Sequence, residues 1–455
     1  MGTRQVGQRV AEETVLFVSV LKWVVLGSTV GVIVGFSTTI FLKALNWGIS
    51  LTGRFSYYYL LLPIGFLLSS LLVKYLAPDA KGHGTEKVIE AIHKHQGKIK
   101  TSVVPIKLLA TVVTIAVGGS AGKEGPCAQI GAGLAAMLSR LLRFDATDRK
   151  KLVICGISAG FASVFGTPIS GAIFGVEVLF VGNLLYDSLL PSFIAGITAY
   201  QVSSLLGVNY FHHPLNFIPV FSSAFFIKVL IAGVYFGFCA ILFIEIMRLG
   251  EKLSGRLKLG APLRGIIGGC VLVVLVLVFS KRYLGLGLDT IQGGLQGRDI
   301  IWYAFIIKII FTSITLNFEG SGGIVTPIFF VGVTSGCLFA KLFGLDTATF
   351  AAIGMVGLLA GAANTPIAAS IMAVELFGAK VAPYATVACI ISFLITGHRS
   401  VYPSQILGII KSSSINVEIG SEMDDLEVRY QPRDKSIVGK LSYLYDRITS
   451  WLAKK

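Results

Sequence analysis

Glu124 is the residue around which chemistry gathers in this chain. It lies in Gly-Gly-Ser-Ala-Gly-Lys-Glu-Gly-Pro (118–126), directly ahead of the apolar segment 126–142. Glycines leave backbone N–H groups uncovered, and Pro126 is placed to open a helix. The pattern predicts a helix start inside an apolar setting, with free donors at Lys123 and Gly125 and a positive dipole end, which together make an anion site. A carboxylate at the same place is itself an anion. Glu124 can hold those donors until it is protonated or swings away, which is a gate. The alternative is a glutamate that only stabilises its own helix. The apolar flanks favour the gate, because carboxylates within a membrane are costly to keep.

The pattern recurs. GSAGKEGPCAQIG (119–131) aligns with GSGGIVTPIFFVG (320–332) at an offset of 201 residues. TPISGAIFGVEV (167–178) aligns with TPIAASIMAVEL (365–376) at an offset of 198, pairing Glu177 with Glu375. Two motifs in the same order at nearly one offset point to duplication. In the second copy, Gly323-Ile324-Val325-Thr326-Pro327, Val325 stands where Glu124 stands in the first. That start has donors and no competing charge, so an anion held between the copies would be displaced from one side only.

A third glycine-rich turn, Lys81-Gly82-His83-Gly84-Thr85-Glu86-Lys87, precedes VIEAIHKHQGK, with Thr85 as the expected cap. His83 has little packing beside it. It either reaches a cavity or is a solvated loop residue. His93 and His95 are two apart, which puts them on different helix faces and discounts them as a metal pair.

The elements that must position these residues are membrane helices. The chain has 455 residues, 54% hydrophobic and only 14% charged, about half the charge of a soluble protein, which speaks against a water-soluble enzyme. Its 52 glycines are scattered through apolar stretches, as in packed membrane helices. Segments such as 103–118, 151–164 and 366–378 are too short to cross alone, and Gly and Pro bound them. Helices that stop partway are tolerated only where they are buried or line a wet cavity. Duplicated halves of broken helices are the signature of transport proteins.

The excess of 39 Lys and Arg over 24 Asp and Glu sits mostly between apolar runs, as in 143–151 and 248–264, so these loops are expected to face the cytoplasm rather than nucleic acid. The six cysteines (Cys127, Cys155, Cys239, Cys270, Cys337, Cys389) read as packing residues, without metal spacing. The N-terminal apolar run continues past residue 40 and reads as a retained helix, not a signal peptide. Residues 406–455 read as a short polar tail, with an amphipathic end around Trp451 that either lies on the membrane surface or is an exposed helix.

GKEGP (122–126) with its Pro-Cys-Ala-Gln-Ile-Gly continuation, GSGGIVTP (320–327), the Gly-x-Gly turn at 82–84 and Tyr402 together resemble the CLC family of chloride channels and proton-coupled chloride transporters. The likeness runs from about residue 78 to 405. It implies an all-α polytopic protein of two inverted repeats, here about 60–205 and 221–405, and a homodimer in which each subunit has its own anion pathway. By this resemblance Glu124 is the external gating glutamate. Backbone around Gly84, Gly323, Ile324 and Val325, with the Tyr402 hydroxyl, binds chloride or a similar small anion. No cofactor or metal is implied, and the cell membrane is the expected location. The paired regulatory domains of many relatives have no counterpart after residue 405.

Three departures qualify the resemblance. The family's usual Gly-Ser-Gly-Ile-Pro is here Gly82-His83-Gly84-Thr85-Glu86, which exchanges a hydroxyl for an imidazole. Val325 replaces the usual Phe. Val178 stands where proton-coupled members carry an internal acid, which leans the reading toward passive or weakly coupled conduction. The alternative is chloride/proton exchange, with Glu177 or His83 as substitute proton donor. A fluoride exporter ranks lower, because that branch is expected to depart from Pro at 126. A membrane enzyme would need HExxH, GxSxG or paired acids at depth, and none is present. A sodium symporter would carry acids near the midplane rather than a lone glutamate at a helix start.

Overall fold

The structure, a computed structural model, describes residues 3–210 and 222–431. Sixteen α-helices among them form two sets of eight in the same order. The first set is α1 (Thr3–Gly53), α2 (Leu62–Leu76), α3 (Thr85–Lys94), α4 (Val103–Ala116), α5 (Glu124–Leu141), α6 (Ala146–Phe165), α7 (Pro168–Glu177) and α8 (Leu189–Leu205). The second is α9 (Ser223–Arg256), α10 (Ala261–Val278), α11 (Leu288–Leu295), α12 (Ala304–Asn317), α13 (Val325–Phe343), α14 (Thr347–Ala363), α15 (Pro366–Phe377) and α16 (Ala382–Thr396). The sets pack alike: α5 lies on α6 as α13 lies on α14, and α1 lies on α8 as α9 lies on α16. They join through α2 with α10, α5 with α13 and α7 with α15. The first set therefore begins with α1, well before residue 60.

Six helices among the described residues are long and apolar enough to cross a membrane, including Ser223–Arg256 and Ala261–Val278. Others, such as Val103–Ala116 and Pro366–Phe377, are shorter apolar helices of the kind that stop partway. The reasons they stop are local. Asp145 accepts from the Asp148 amide to start α6, and Asp346 accepts from the Thr349 amide to start α14. Those two helices end on Gly166 and Asn364, both left-handed. Pro168 and Pro366 then open α7 and α15.

Matching side chains lock each set to the other. Thr111 Oγ1 meets Ser321 Oγ at 3.1 Å, and its counterpart 201 residues on, Thr312, meets Ser120 at 3.1 Å. The Ser120 amide donates to Thr315 Oγ1 and the Ser321 amide to Thr114 Oγ1, each at 3.0 Å. All are buried in apolar protein, where hydroxyl groups need such partners. The turn of each copy is thus held by a helix of the other.

Basic residues gather at one end of the helices: Arg140 and Arg149 bond to the loop after α3, and Lys94 pairs with Glu422 at 2.9 Å. Residues after α16 are fixed there. Strand β1 (Phe180–Val181) pairs in parallel with β2 (Ile406–Leu407), and Ile415–Asn416 pairs with Arg429–Tyr430. Lys411 donates to Asn364 Oδ1 and to the Phe393 carbonyl, both at 2.7 Å. The segment 406–431, part of the short polar tail read from the sequence, is docked on the body. The amphipathic end around Trp451 lies outside the described residues. Five of the cysteines are buried, but Cys270 is exposed on α10 and does not pack as expected.

Candidate anion site

Three helix starts converge at the centre of the molecule. The turns before α5 and α13 are joined by mutual backbone bonds, Gly122 N–H to Gly323 O at 2.7 Å and Gly323 N–H to Gly122 O at 2.6 Å. The turn before α3 closes the group. Gly84 adopts φ +84°, and a Cβ there would strike the Gly125 carbonyl, so both the backbone conformation and the close approach require glycine. Gly125 in turn lies against the His83 carbonyl. Helix starts leave their first N–H groups without intrahelical acceptors. Three positive dipole ends therefore point at one another.

Glu124 is fully buried as the first residue of α5, and Pro126 is the third helical residue rather than the first. Its carboxylate reaches out of its own copy and onto the other. Oε2 accepts from the Thr326 amide at 3.1 Å, and Oε1 accepts from the Thr326 hydroxyl. The side chain thus occupies donors at the start of α13, the helix of the other copy. Gly122 leaves the room for it, since a Cβ there would run into the carboxylate. The repeat alignment paired Thr326 with Gly125 and gave no sign of this contact. A hydroxyl residue just before Pro327, in the first turn of α13, was the signal available.

The other sequence candidates fall around this point. Lys123 holds the N-cap position of α5, half-buried. Ile324 and Val325, both buried, form the N-cap and first residue of α13. Gly323 differs from expectation: its N–H is taken by Gly122, so it supplies close approach rather than a donor. Thr85 opens α3 as its first residue rather than capping it, and Gly84 takes the cap position. His83 and Tyr402 come together, ring centroids 5.7 Å apart. The imidazole Nδ1 and the phenolic hydroxyl are both buried without a hydrogen-bond partner. Two unpartnered polar groups side by side in a buried position mark a place built for something polar.

Beside them lies a cavity of about 520 Å³, lined by His83, Glu86, Lys87, Arg264, Pro403 and Ser404 among others, which reaches the end of the molecule where Lys94 pairs with Glu422. Lys107, fully buried on α4, donates to the carbonyls of Ala80 and Gly82 and so braces the turn that carries His83. Its counterpart Lys308 does the same on α12, donating to Tyr283 and Gly285.

Glu177 lies elsewhere. Its two oxygens accept from the amides of Ile367 and Ala368 at 3.0 and 2.8 Å, at the start of α15. Val178 is fully buried, and its carbonyl accepts from Gln405. His93 bonds the Leu179 carbonyl, and no metal-binding group of His, Cys, Asp or Glu exists among the described residues.

Comparisons with known proteins agree with this architecture. Residues 65–397 match the family described as voltage gated chloride channel. The chain is 35% identical over 405 residues to the chloride/fluoride channel protein of Pseudomonas syringae pv. tomato, spanning 87% of this chain and 89% of that one. With the voltage-gated ClC-type chloride channel ClcB of Shigella flexneri it shares 27% identity over 336 residues, 70% of this chain and 79% of the other. The crystal structure of a CLC-type fluoride/proton antiporter superposes with a TM-score of 0.81 at 30% identity, covering 85% of this chain and 98% of that one. A slow cyanobacterial Cl⁻/H⁺ antiporter shares the fold, with a TM-score of 0.71 at 22% identity over 82% and 94% of the two chains. With its apolar spans and its family match over most of its length, this integral membrane protein belongs to the voltage-gated chloride channel (CLC) family of anion transport proteins.

Proposed function

We propose that this protein moves small halide anions across the cell membrane through a pathway that Glu124 opens and closes. The observation that carries the reading is the Glu124 carboxylate seated on the amide and hydroxyl of Thr326. A carboxylate and a halide are interchangeable occupants of such a helix start, so one must leave for the other to enter. Protonating Glu124 weakens its claim on the donors and admits the anion. Tyr402 and His83 receive the anion on the cytoplasmic side of this gate.

Chloride is the first candidate cargo. Fluoride is favoured by two similarities, to a relative named for chloride and fluoride and to a fluoride/proton antiporter, and by the departures at His83 and Val325. Pro126, against expectation for a fluoride exporter, is retained. Efflux of each anion from loaded liposomes, followed with ion-selective electrodes, tests the reading. Absence of efflux for both sinks it, and the ratio of rates assigns the cargo.

The homodimer belongs to the same proposal. Helices α8, α7, α15 and α16 pack each on the next in that order and carry exposed Ile169, Ile197, Leu205, Ile367, Ile390 and Leu394. That continuous apolar face suits a second copy within the bilayer. Protons are the remaining cargo, and residues 177 and 178 offer no acid for them: Val178 cannot bind a proton, and both oxygens of Glu177 are committed to α15.

A further inference from the structure

Glu86 stands where most relatives have the Pro of Gly-Ser-Gly-Ile-Pro, and the reading of residue types gave it no role. In the structure it lies in the first turn of α3, three residues beyond His83, and lines the cavity beside Pro403 and Ser404. Its Oε1 accepts from the Ser404 amide at 3.0 Å. Its Oε2 is buried with no partner.

The charges around the cavity do not neutralise it. On its own helix Lys87 is bonded to Glu90 at 2.7 Å, and Lys94 to Glu422 of the tail at 2.9 Å. Lys81 in the preceding turn and Arg264 of α10 both bond Glu319, at 3.2 and 2.7 Å. Arg248 and Glu251 face the cavity from α9, and Asp424 from the tail. The four cations Lys87, Lys94, Lys81 and Arg264 are thus each engaged by another carboxylate.

An ionised carboxylate in this position opposes an anion arriving at His83 and Tyr402, since like charges close together in a low-dielectric site repel strongly. A protonated one does not. It has lost its charge and gained a donor. Proton binding at Glu86 and anion binding beside it therefore favour one another, so the two ions are thermodynamically linked at this site.

We infer that Glu86 is the cytoplasmic proton-accepting group of an anion/proton exchange cycle, taking the part that Val178 cannot play; this rests on the anion pathway proposed above. The step balances simply. A hydronium ion in the cavity gives its proton to Oε2 and leaves as water. The Oε2–H bond then breaks as the proton passes inward, with the unpartnered His83 Nδ1 as the available intermediate acceptor. The His83 backbone rests on Gly125, next to Glu124. The proton ends on the Glu124 carboxylate, which releases the donors of Thr326 to the anion.

Glu86→Gln is the decisive variant, because its amide oxygen can still accept from the Ser404 amide while its side chain cannot titrate. Purified full-length protein is placed in liposomes with an anion gradient and clamped potential, and anion efflux and proton uptake are read together. The expected result is that the parent takes up protons uphill, Glu86→Gln continues to pass anions, and its proton uptake falls about tenfold or more. Glu86→Asp should restore part of the uptake. Proton uptake per anion equal to the parent's in Glu86→Gln overturns the inference. So does a parent that passes anions without uphill proton uptake, a result that leaves the anion pathway standing. A parent that passes no anions removes the pathway reading itself.

Discussion

Glu177 and Glu375 cap each other's halves. The carboxylate of Glu177, the last residue of α7, accepts from the amides of Ile367 and Ala368 at the start of α15. Glu375, near the end of α15, accepts from the amides of Ile169 and Ser170 at the start of α7, at 2.9 and 2.8 Å. Each helix start has two of its orphan N–H groups satisfied by a charge from the other copy. This exchange of caps explains why a glutamate recurs in both repeats at a point where only one proton relay would be needed.

Glu177→Ala should therefore act on stability. Two charge-assisted bonds are lost and two buried amides left bare, a cost of about 2–4 kcal/mol. A lower melting temperature in detergent, with anion efflux retained below it, is the expected pair of results. Unchanged stability with lost proton uptake would instead return Glu177 to the proton route.

Glu124→Gln should make anion efflux faster at neutral pH and flatten its dependence on external pH. In the parent, an ionised carboxylate holds the Thr326 donors at high pH, so efflux is expected to rise as external pH falls. A glutamine carries no charge with which to compete. Liposome efflux across external pH, parent against variant, checks both the sign and its loss.

His83→Ser exchanges the imidazole beside Tyr402 for a hydroxyl donor. Replacing one hydrogen-bonding group at a narrow site should shift selectivity among chloride, bromide, nitrate and fluoride by about two- to tenfold. Reversal potentials in mixed anions measure it. Identical ratios would remove the ring from the pathway.

Lys107→Met and Lys308→Met form a matched pair, since each lysine braces a turn through two carbonyls. Only Lys107 braces the turn that carries His83. Efflux should fall markedly in Lys107→Met and much less in Lys308→Met, when both are compared as folded protein. Equal losses would show that the bracing serves the fold alone.

The duplication was legible because its marks are backbone marks: Gly and Pro fix helix ends in ways other residues cannot, so they recur in both copies. Glu124 was legible for the same reason, standing between two of them. Thr326 was not, because its partner lies in the other copy, and the alignment that revealed the copies matched it with Gly125. Glu86 was hidden by its setting in a helix rich in Lys and Glu, where an acid near the N-terminus reads as ordinary. Only the fold shows that its second oxygen meets no partner. α1 was set apart from the repeat because a helix apolar on most sides gives no hint of which neighbour it will take. Its packing on α8, as α9 packs on α16, is a tertiary fact.

The inner wall of the pathway has a consequence for how the molecule is made. Tyr402, Pro403 and Ser404 follow α16 in the chain and are fastened by the pairing of residues 180–181 with 406–407. During synthesis all sixteen helices of the described residues are therefore made before these residues emerge to complete the pocket under His83. A chain that stopped after α16 would keep the contact of Glu124 with Thr326 but lack the wall that Tyr402 and Ser404 supply. The pocket under His83 is thus closed by residues that come late in the chain, and its wall is complete only when β2 has been laid against β1 of the first half.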